Sequence, residues 1–265
     1  MKIIILAAGR GERLMPLTRN TPKPLLDVGN GSTLLEEQIE SVRSSGVIDE
    51  IVLVLGYLAD QVEAKMKLYR AMGVKIRTIF NPFYQVSNNL MSLWLAKHVL
   101  QEDDVMVTNG DNIFAADVFR GLAEENGDGI TLSVCLKREF SYDDMKVTLA
   151  DGQVVRVSKE IESEDAQAES PGLALVRGVR ARQVFHDHLE TLARDDENIG
   201  RFWLETFNHL YHKGVTVKPW IFDATNRWQE VDFHLDVSKA RTLLATKLGT
   251  ATAPEDPDTP IAASN

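Results

Sequence analysis

Along the first 110 residues, short apolar runs alternate with stretches of helical periodicity. Residues 2–8 contain Ile3, Ile4, Ile5, Leu6, Ala7 and Ala8 and stop at Gly9. A continuous apolar run of that length predicts a strand covered on both faces, as in a parallel sheet. Residues 33–45 place Leu34, Leu35, Ile39 and Val42 at helical spacing behind Ser32, a candidate N-cap. Residues 50–55 predict a second buried strand, after which Gly56 and Tyr57 open the next helix. A third strand is predicted over 76–80 and a helix over 88–99, with Leu90, Leu93, Leu95 and Ala96 inside. A fourth strand over 105–108 stops at Asn109-Gly110-Asp111-Asn112. This alternation predicts a Rossmann-like α/β fold: a mixed, mostly parallel sheet flanked by helices on both faces.

The pattern then changes. Strands are predicted over 130–137, 145–150, 154–158 and 172–177. Asp151-Gly152 between the second and third is a strong two-residue hairpin signal. Helices follow at 180–194 and 201–212, then a strand at 215–222 and a last helix at 235–247. The later strands are expected to add antiparallel neighbours to the first sheet. No repeat of period 20–50 interrupts the chain. From Gly249 the residues are mainly Ala, Thr, Pro, Glu and Asp. One domain over 1–248 and a disordered tail over 249–265 are therefore expected.

Composition narrows the class. The chain has 265 residues, 44% apolar and 26% charged, an ordinary globular balance that can bury an ample core without metal or disulfide staples. The net charge, 29 − 39 = −10, counts against a nucleic-acid partner. No apolar stretch approaches the ~20 residues of a membrane span, so no membrane partner is expected. The single cysteine, Cys135, excludes an intrachain disulfide and points to a reducing, cytoplasmic setting. The opening apolar run is too short for a signal peptide.

Candidate chemistry begins directly after the first strand, at Leu6-Ala7-Ala8-Gly9-Arg10-Gly11-Glu12-Arg13-Leu14. A glycine loop leaving a strand presents backbone N–H groups to an anion, most often phosphate. A Walker A loop is absent, and Leu14 stands where the dinucleotide fingerprint needs its third glycine. What remains is the loop with two nearby cations, Arg13 and Lys23, able to clamp a triphosphate. The bland alternative is a turn with solvated charges. Asp111 follows the fourth strand, where ligands of open α/β sheets gather, and Asp232 follows the last one. Two carboxylates from distant segments suit Mg²⁺. Equally, Asp111 suits a turn and Asp232 a helix cap. The histidines, including His186 and His188, lack zinc-site spacing.

The chain resembles the sugar-phosphate nucleotidyltransferase superfamily. The resemblance rests on the Leu6–Leu14 segment, Pro16-Leu17-Thr18 and Pro22-Lys23-Pro24-Leu25, which match its signature without gaps, and extends through Gly110-Asp111 and Glu230-Val231-Asp232. It implies an Mg²⁺-dependent enzyme that transfers a nucleoside monophosphate from an NTP to a phosphate-bearing acceptor and releases pyrophosphate. It also implies that Asp111 and Asp232 bind the metal, with Glu230 as an alternative second ligand, and that Lys23 and Arg13 serve the phosphates. Within the superfamily, Ser87-Asn88-Asn89-Leu90-Met91-Ser92-Leu93 is similar to the phosphocholine, phosphonate and inositol-phosphate cytidylyltransferases rather than to the hexose-1-phosphate branch. The expected nucleotide is CTP, bound by Leu6, Ala7, Ala8, Gly9, Gly11, Ser87, Asn88, Asn89 and Gly110. Ser87 or Asn88 could equally be the cap of the following helix.

The same resemblance places Lys146 and Lys159, on either side of the hairpin, at the acceptor's phosphate, with Lys146 also counted among the catalytic cations. An exposed strand lysine is the plain alternative, above all for Lys159. Trp203 and Glu205 are candidates for a cationic head on the acceptor. Against this, residues two apart diverge on a helix, and Trp203 with Phe207 reads as core. The expected acceptor is a small phosphate or phosphonate. Alternatives are a sugar-1-phosphate or cyclitol phosphate with another NTP, and an inactive nucleotide-sensing or scaffold subunit. A homodimer is left open.

Overall fold

A computed structural model describes residues 1–29 and 31–247, with 241–247 as backbone only; the expected tail over 249–265 lies outside the described residues. The first half runs β1 (Lys2–Ala7), β2 (Asp27–Gly29), β3 (Ser32–Thr33), α1 (Leu34–Ser45), β4 (Glu50–Leu55), α2 (Ala59–Ala71), β5 (Ile76–Phe80), α3 (Asn89–Leu95), β6 (Val105–Asn109), β7 (Asn112–Phe114) and α4 (Ala116–Glu124). The second half adds β8 (Gly129–Leu136), β9 (Lys146–Ala150), β10 (Gln153–Ser158), β11 (Ala168–Glu169), β12 (Leu173–Arg177), α5 (Val179–Ala193), α6 (Thr206–His212), β13 (Val217–Ile221), β14 (Trp228–Glu230) and α7 (His234–Lys247).

Ten strands form one sheet in the order β10-β9-β11-β8-β12-β6-β1-β4-β5, with β13 beside β8. The strands β6, β1, β4 and β5 are parallel, and β12 joins β6 antiparallel. Strand alternation gives β1 two buried faces. Ile3 and Ile5 pack under α1, α2 and α4, through Leu35, Ile39, Val62, Met66, Val118 and Leu122. Ile4 and Leu6 pack under α3, α5 and α6, through Leu90, Leu93, Phe185, Leu189, Phe207 and Leu210. This two-sided cover explains why β1 and β4 read as unbroken apolar runs rather than alternating ones.

Several boundaries shift for local reasons. Thr33, not Ser32, caps α1: its hydroxyl accepts from the Glu36 N–H while the Glu36 carboxylate accepts from the Thr33 N–H, a capping box. The predicted 201–212 helix is split into a 3-10 turn over Trp203–Glu205 and then α6. The hairpin turns at Asp151 (φ 51°) and Gly152 (φ 73°), both left-handed, as a two-residue turn of this type requires. The helix α4, with an apolar face of Val118, Phe119 and Leu122, is not among the elements predicted from the sequence. Cys135 is free and buried. Among the described residues, no helix is long and apolar enough to cross a membrane.

Candidate active site

The C-terminal ends of β1 and β6 open into a cavity of about 390 Å³, the edge where open α/β sheets bind ligands. Its floor is backbone. Leu6, Ala7, Ala8, Gly9, Gly11 and Gly110 all line it. Gly110 donates its N–H to the Leu6 carbonyl at 2.8 Å, and a Cβ there would meet Ala7 Cα at 2.8 Å, so the two chain segments approach too closely for any side chain. Gly11 holds φ 63°, and its carbonyl accepts from Thr18 Oγ1 at 2.8 Å, which closes the loop.

Charge is concentrated on one wall. Lys23 begins a 3-10 turn between Pro22 and Pro24, whose rings preset the backbone. Its Nζ lies 3.0 Å from Asp111 Oδ2 and 2.6 Å from Asp232 Oδ1. Two devices bring the aspartates together. Gln38, from α1, donates to the carbonyls of Asn109 (3.2 Å) and Asn112 (2.8 Å), holding the turn that carries Asp111. The ribbon of β7 and β14, continued by Val231 N–H to Asp111 C=O at 2.9 Å, lays Asp232 alongside. Asp111, Glu230 and Asp232 each offer a carboxylate oxygen within 4.8 Å of the others.

Burial disfavours the Lys23 ammonium, but Asp111 and then Asp232 more than offset this, and its pKa is raised. Burial likewise opposes ionisation of Asp232, yet Lys23, then Arg13, hold its carboxyl below the usual range. Glu230 has no such partner: burial first, then repulsion from Asp111 and Asp232, pushes it up to about 8. Lys23 and Arg13 thus pair with the two aspartates, and Glu230 is the carboxyl of the three without a cation against it. Three hard oxygen donors at this spacing fit a divalent cation of the Mg²⁺ type.

Arg13 Nη1 bridges Asp232 Oδ2 (2.8 Å) and Asp143 Oδ2 (2.6 Å), with the guanidinium 5.3 Å from the Phe233 ring centre. Lys159 Nζ meets Asp143 Oδ1 at 2.5 Å and lies 5.3 Å from the Phe202 ring. Ser87, Asn88 and Asn89 line the opposite wall. Their polar groups are largely engaged within the protein: Ser87 Oγ donates to Phe83 C=O, and Asn88 Oδ1 caps α3 while its Nδ2 donates to Gly200 C=O. Asn89 Oδ1 accepts from the Trp203 N–H. The capping alternative therefore holds for Asn88.

Three expectations are corrected. Lys146 does not reach the cavity: it is buried, and its Nζ donates to the Lys159 carbonyl at 2.6 Å. Glu205 also turns away, paired with Arg201 at 2.7 Å, because its short turn presents it to a separate surface groove. Trp203 touches the cavity but is core: fully buried, edge-on to Phe207, with Nε1 donating to Asn109 Oδ1 at 2.8 Å. The structure adds Asp143 and Glu169, from segments for which no element is predicted, and Phe202, from the start of the predicted 201–212 helix. Burial, the main cause, raises the Glu169 carboxyl despite its ion pair with Lys137 at 2.9 Å.

The fold and this site define a nucleotidyltransferase. Residues 2–156 match the Nucleotidyl transferase family model, and the chain belongs to that family of enzymes. A 2-aminoethylphosphonate cytidylyltransferase from Lancefieldella rimae is 35% identical over 221 residues, 82% of this chain and 83% of that one. A choline-phosphate cytidylyltransferase from Streptococcus pneumoniae is 41% identical over 120 residues, 45% of this chain; the match spans about half (48%) of that relative. The solved structure of the CTP:phosphocholine cytidylyltransferase from Streptococcus pneumoniae superposes with a TM-score of 0.71 at 27% identity, covering 92% of this chain and 98% of that one.

Proposed function

We propose that the protein transfers CMP from CTP to a small phosphate or phosphonate acceptor and releases pyrophosphate. The observation that carries this reading is the meeting of Lys23, Asp111 and Asp232 at the mouth of a glycine-floored cavity. In the reaction an acceptor phosphate or phosphonate oxygen bonds to the α-phosphorus, and the bond from that phosphorus to the bridging oxygen of the β-phosphate breaks in line. The attacking oxygen is already an anion, so no side chain need remove its proton. Catalysis then rests on positioning and on neutralising charge.

The backbone N–H groups of the Gly9–Gly11 loop, with Arg13 and Lys23, hold the nucleotide's phosphates. Lys159 attracts the acceptor's anionic group. Asp111 and Asp232, with Glu230 beside them, would hold Mg²⁺, which when bound supplies positive charge to phosphate oxygens. The choice of CTP, and of an acceptor like phosphocholine or 2-aminoethylphosphonate, is supported by the cytidylyltransferase relatives. The test is a pyrophosphate-release screen of CTP, UTP, ATP, GTP and dTTP against phosphocholine, 2-aminoethylphosphonate, inositol phosphate and glucose-1-phosphate. CTP with one of the first two acceptors should win. A win for glucose-1-phosphate with UTP or dTTP would move the protein to sugar-1-phosphate chemistry. No release with any pair would leave the inactive-subunit reading.

A further inference from the structure

Asp143 stands where an anion would be expected to bind. Its two carboxylate oxygens each take one cation of the cavity, Oδ2 with Arg13 at 2.6 Å and Oδ1 with Lys159 at 2.5 Å. Arg13 leaves the glycine loop and Lys159 follows β10, so one loop carboxylate joins two distant parts of the wall. Two oxygens spread over two cations is also how a phosphate group engages such a pair. The proposed function gives these same two cations to phosphates, and the inference rests on that reading.

The rest of the segment does not depend on Asp143. Its neighbour Asp144 anchors the turn, accepting from the Ser141 N–H (2.8 Å), from Ser141 Oγ (2.6 Å) and from Lys137 Nζ (2.5 Å). Tyr142, adjacent in sequence, is 80% exposed. Arg13 keeps Asp232 at 2.8 Å, and Lys159 keeps the Phe202 ring, without any contribution from Asp143. The carboxylate can therefore leave both cations while the segment, the arginine and the lysine stay supported.

We propose that Asp143 is a built-in competitor for substrate phosphate: in the free protein it pairs with both Arg13 and Lys159, and an incoming phosphate or phosphonate group takes its place. The exchange sets a threshold. A weakly charged ligand gains little by displacing a carboxylate, whereas a dianionic group gains from two cations already brought together. Asp143 is then a specificity-determining residue, and removing its charge strengthens anion binding instead of weakening it.

The test is calorimetric titration of the full chain, in magnesium-containing buffer, with inorganic pyrophosphate and separately with methylphosphonate. Asp143→Asn and Asp143→Ser should bind at least one probe about tenfold more tightly than wild type. Asp143→Glu, which keeps the charge, should return towards wild type. The probe that tightens tells whether the nucleotide's phosphates or the acceptor's group displaces the carboxylate. Thermal melting of the variants checks that they fold. Unchanged or weaker binding of both probes to folded Asn and Ser variants would overturn the proposal and leave the phosphate-site reading standing. Failure of wild type and all variants to bind either probe would overturn both.

Discussion

Replacing Lys23 by methionine tests the charge balance of the site without any substrate. The lysine is 9% exposed, and its ammonium contacts Asp111 and Asp232 at 3.0 and 2.6 Å. Methionine keeps most of the volume and removes the charge. Carboxylate oxygens of Asp111 and Asp232 then lie within 4.8 Å of each other and of Glu230, with Arg13 still on Asp232 but shared with Asp143. Breaking a fully buried pair by removing one partner costs about 3–5 kcal/mol. Here the two aspartate side chains remain 23% and 17% exposed, so water and salt screen part of the repulsion. We scale the loss to about 2 kcal/mol. At about 2–4 °C per kcal/mol for a chain of this size, Tm should fall about 4–8 °C in EDTA. Magnesium, bound as proposed, would supply the missing positive charge and should restore most of it, so the metal-induced rise in Tm should be larger for Lys23→Met than for wild type. Differential scanning fluorimetry at low salt, with EDTA and then with MgCl₂, reads both numbers. A variant that melts within about 1 °C of wild type in EDTA, or that gains no more than wild type from magnesium, would refute the reasoning.

Asp111→Asn or Asp232→Asn should lower kcat at least ~100-fold with the fold retained, since each would remove a contact to the proposed Mg²⁺; near-wild-type turnover at saturating Mg²⁺ speaks against the metal assignment. Cys135 is buried, and burial, reinforced by Glu169, pushes its thiol up to about 12. Iodoacetamide near neutral pH should therefore leave the native protein unmodified and label it only in denaturant, with rapid native labelling as the contrary result. Glu102 accepts from Arg77, the main cause, and from Lys2, which together hold its carboxyl at about 2 against an ordinary 4.5. Because the folded value is the lower one, this stabilisation is present above the ordinary value and is lost as pH falls towards 2. The side chain is about a third exposed, so the contribution is discounted to about 1 kcal/mol. Urea unfolding of Glu102→Gln should show that deficit at neutral pH and a shrinking gap in acid, whereas a gap independent of pH would contradict it.

The family motif marks Lys23, Arg13, Asp111 and Asp232 in the sequence, but their contact is a property of the fold. Asp111 and Asp232 meet through β7 and β14, three residues each, too short to carry a periodic signal. Lys146 and Lys159 flank one hairpin, and the sequence favours Lys146 as the cation facing the acceptor. Only the packed structure turns Lys146 inward onto a backbone carbonyl and leaves Lys159 in the cavity. Glu205 likewise turns to another surface once its segment folds as a 3-10 turn rather than a continuous helix.

What the sequence by itself determined are the features with short-range causes. The strands β1 and β4 lie where continuous apolar runs fall, since all but their first residues are buried between two helical layers, whereas β5 at the sheet's edge keeps Arg77 and Thr78 half-buried. The hairpin follows from two residues that accept left-handed backbone, Asp151 and Gly152. The tertiary structure alone decided which side chains share a cavity. Asp143, Glu169 and Phe202 come from segments far apart in the chain. Sheet order, strand register and the closing of the ribbon bring such residues together, and these depend on long-range packing that local propensity and periodicity do not encode.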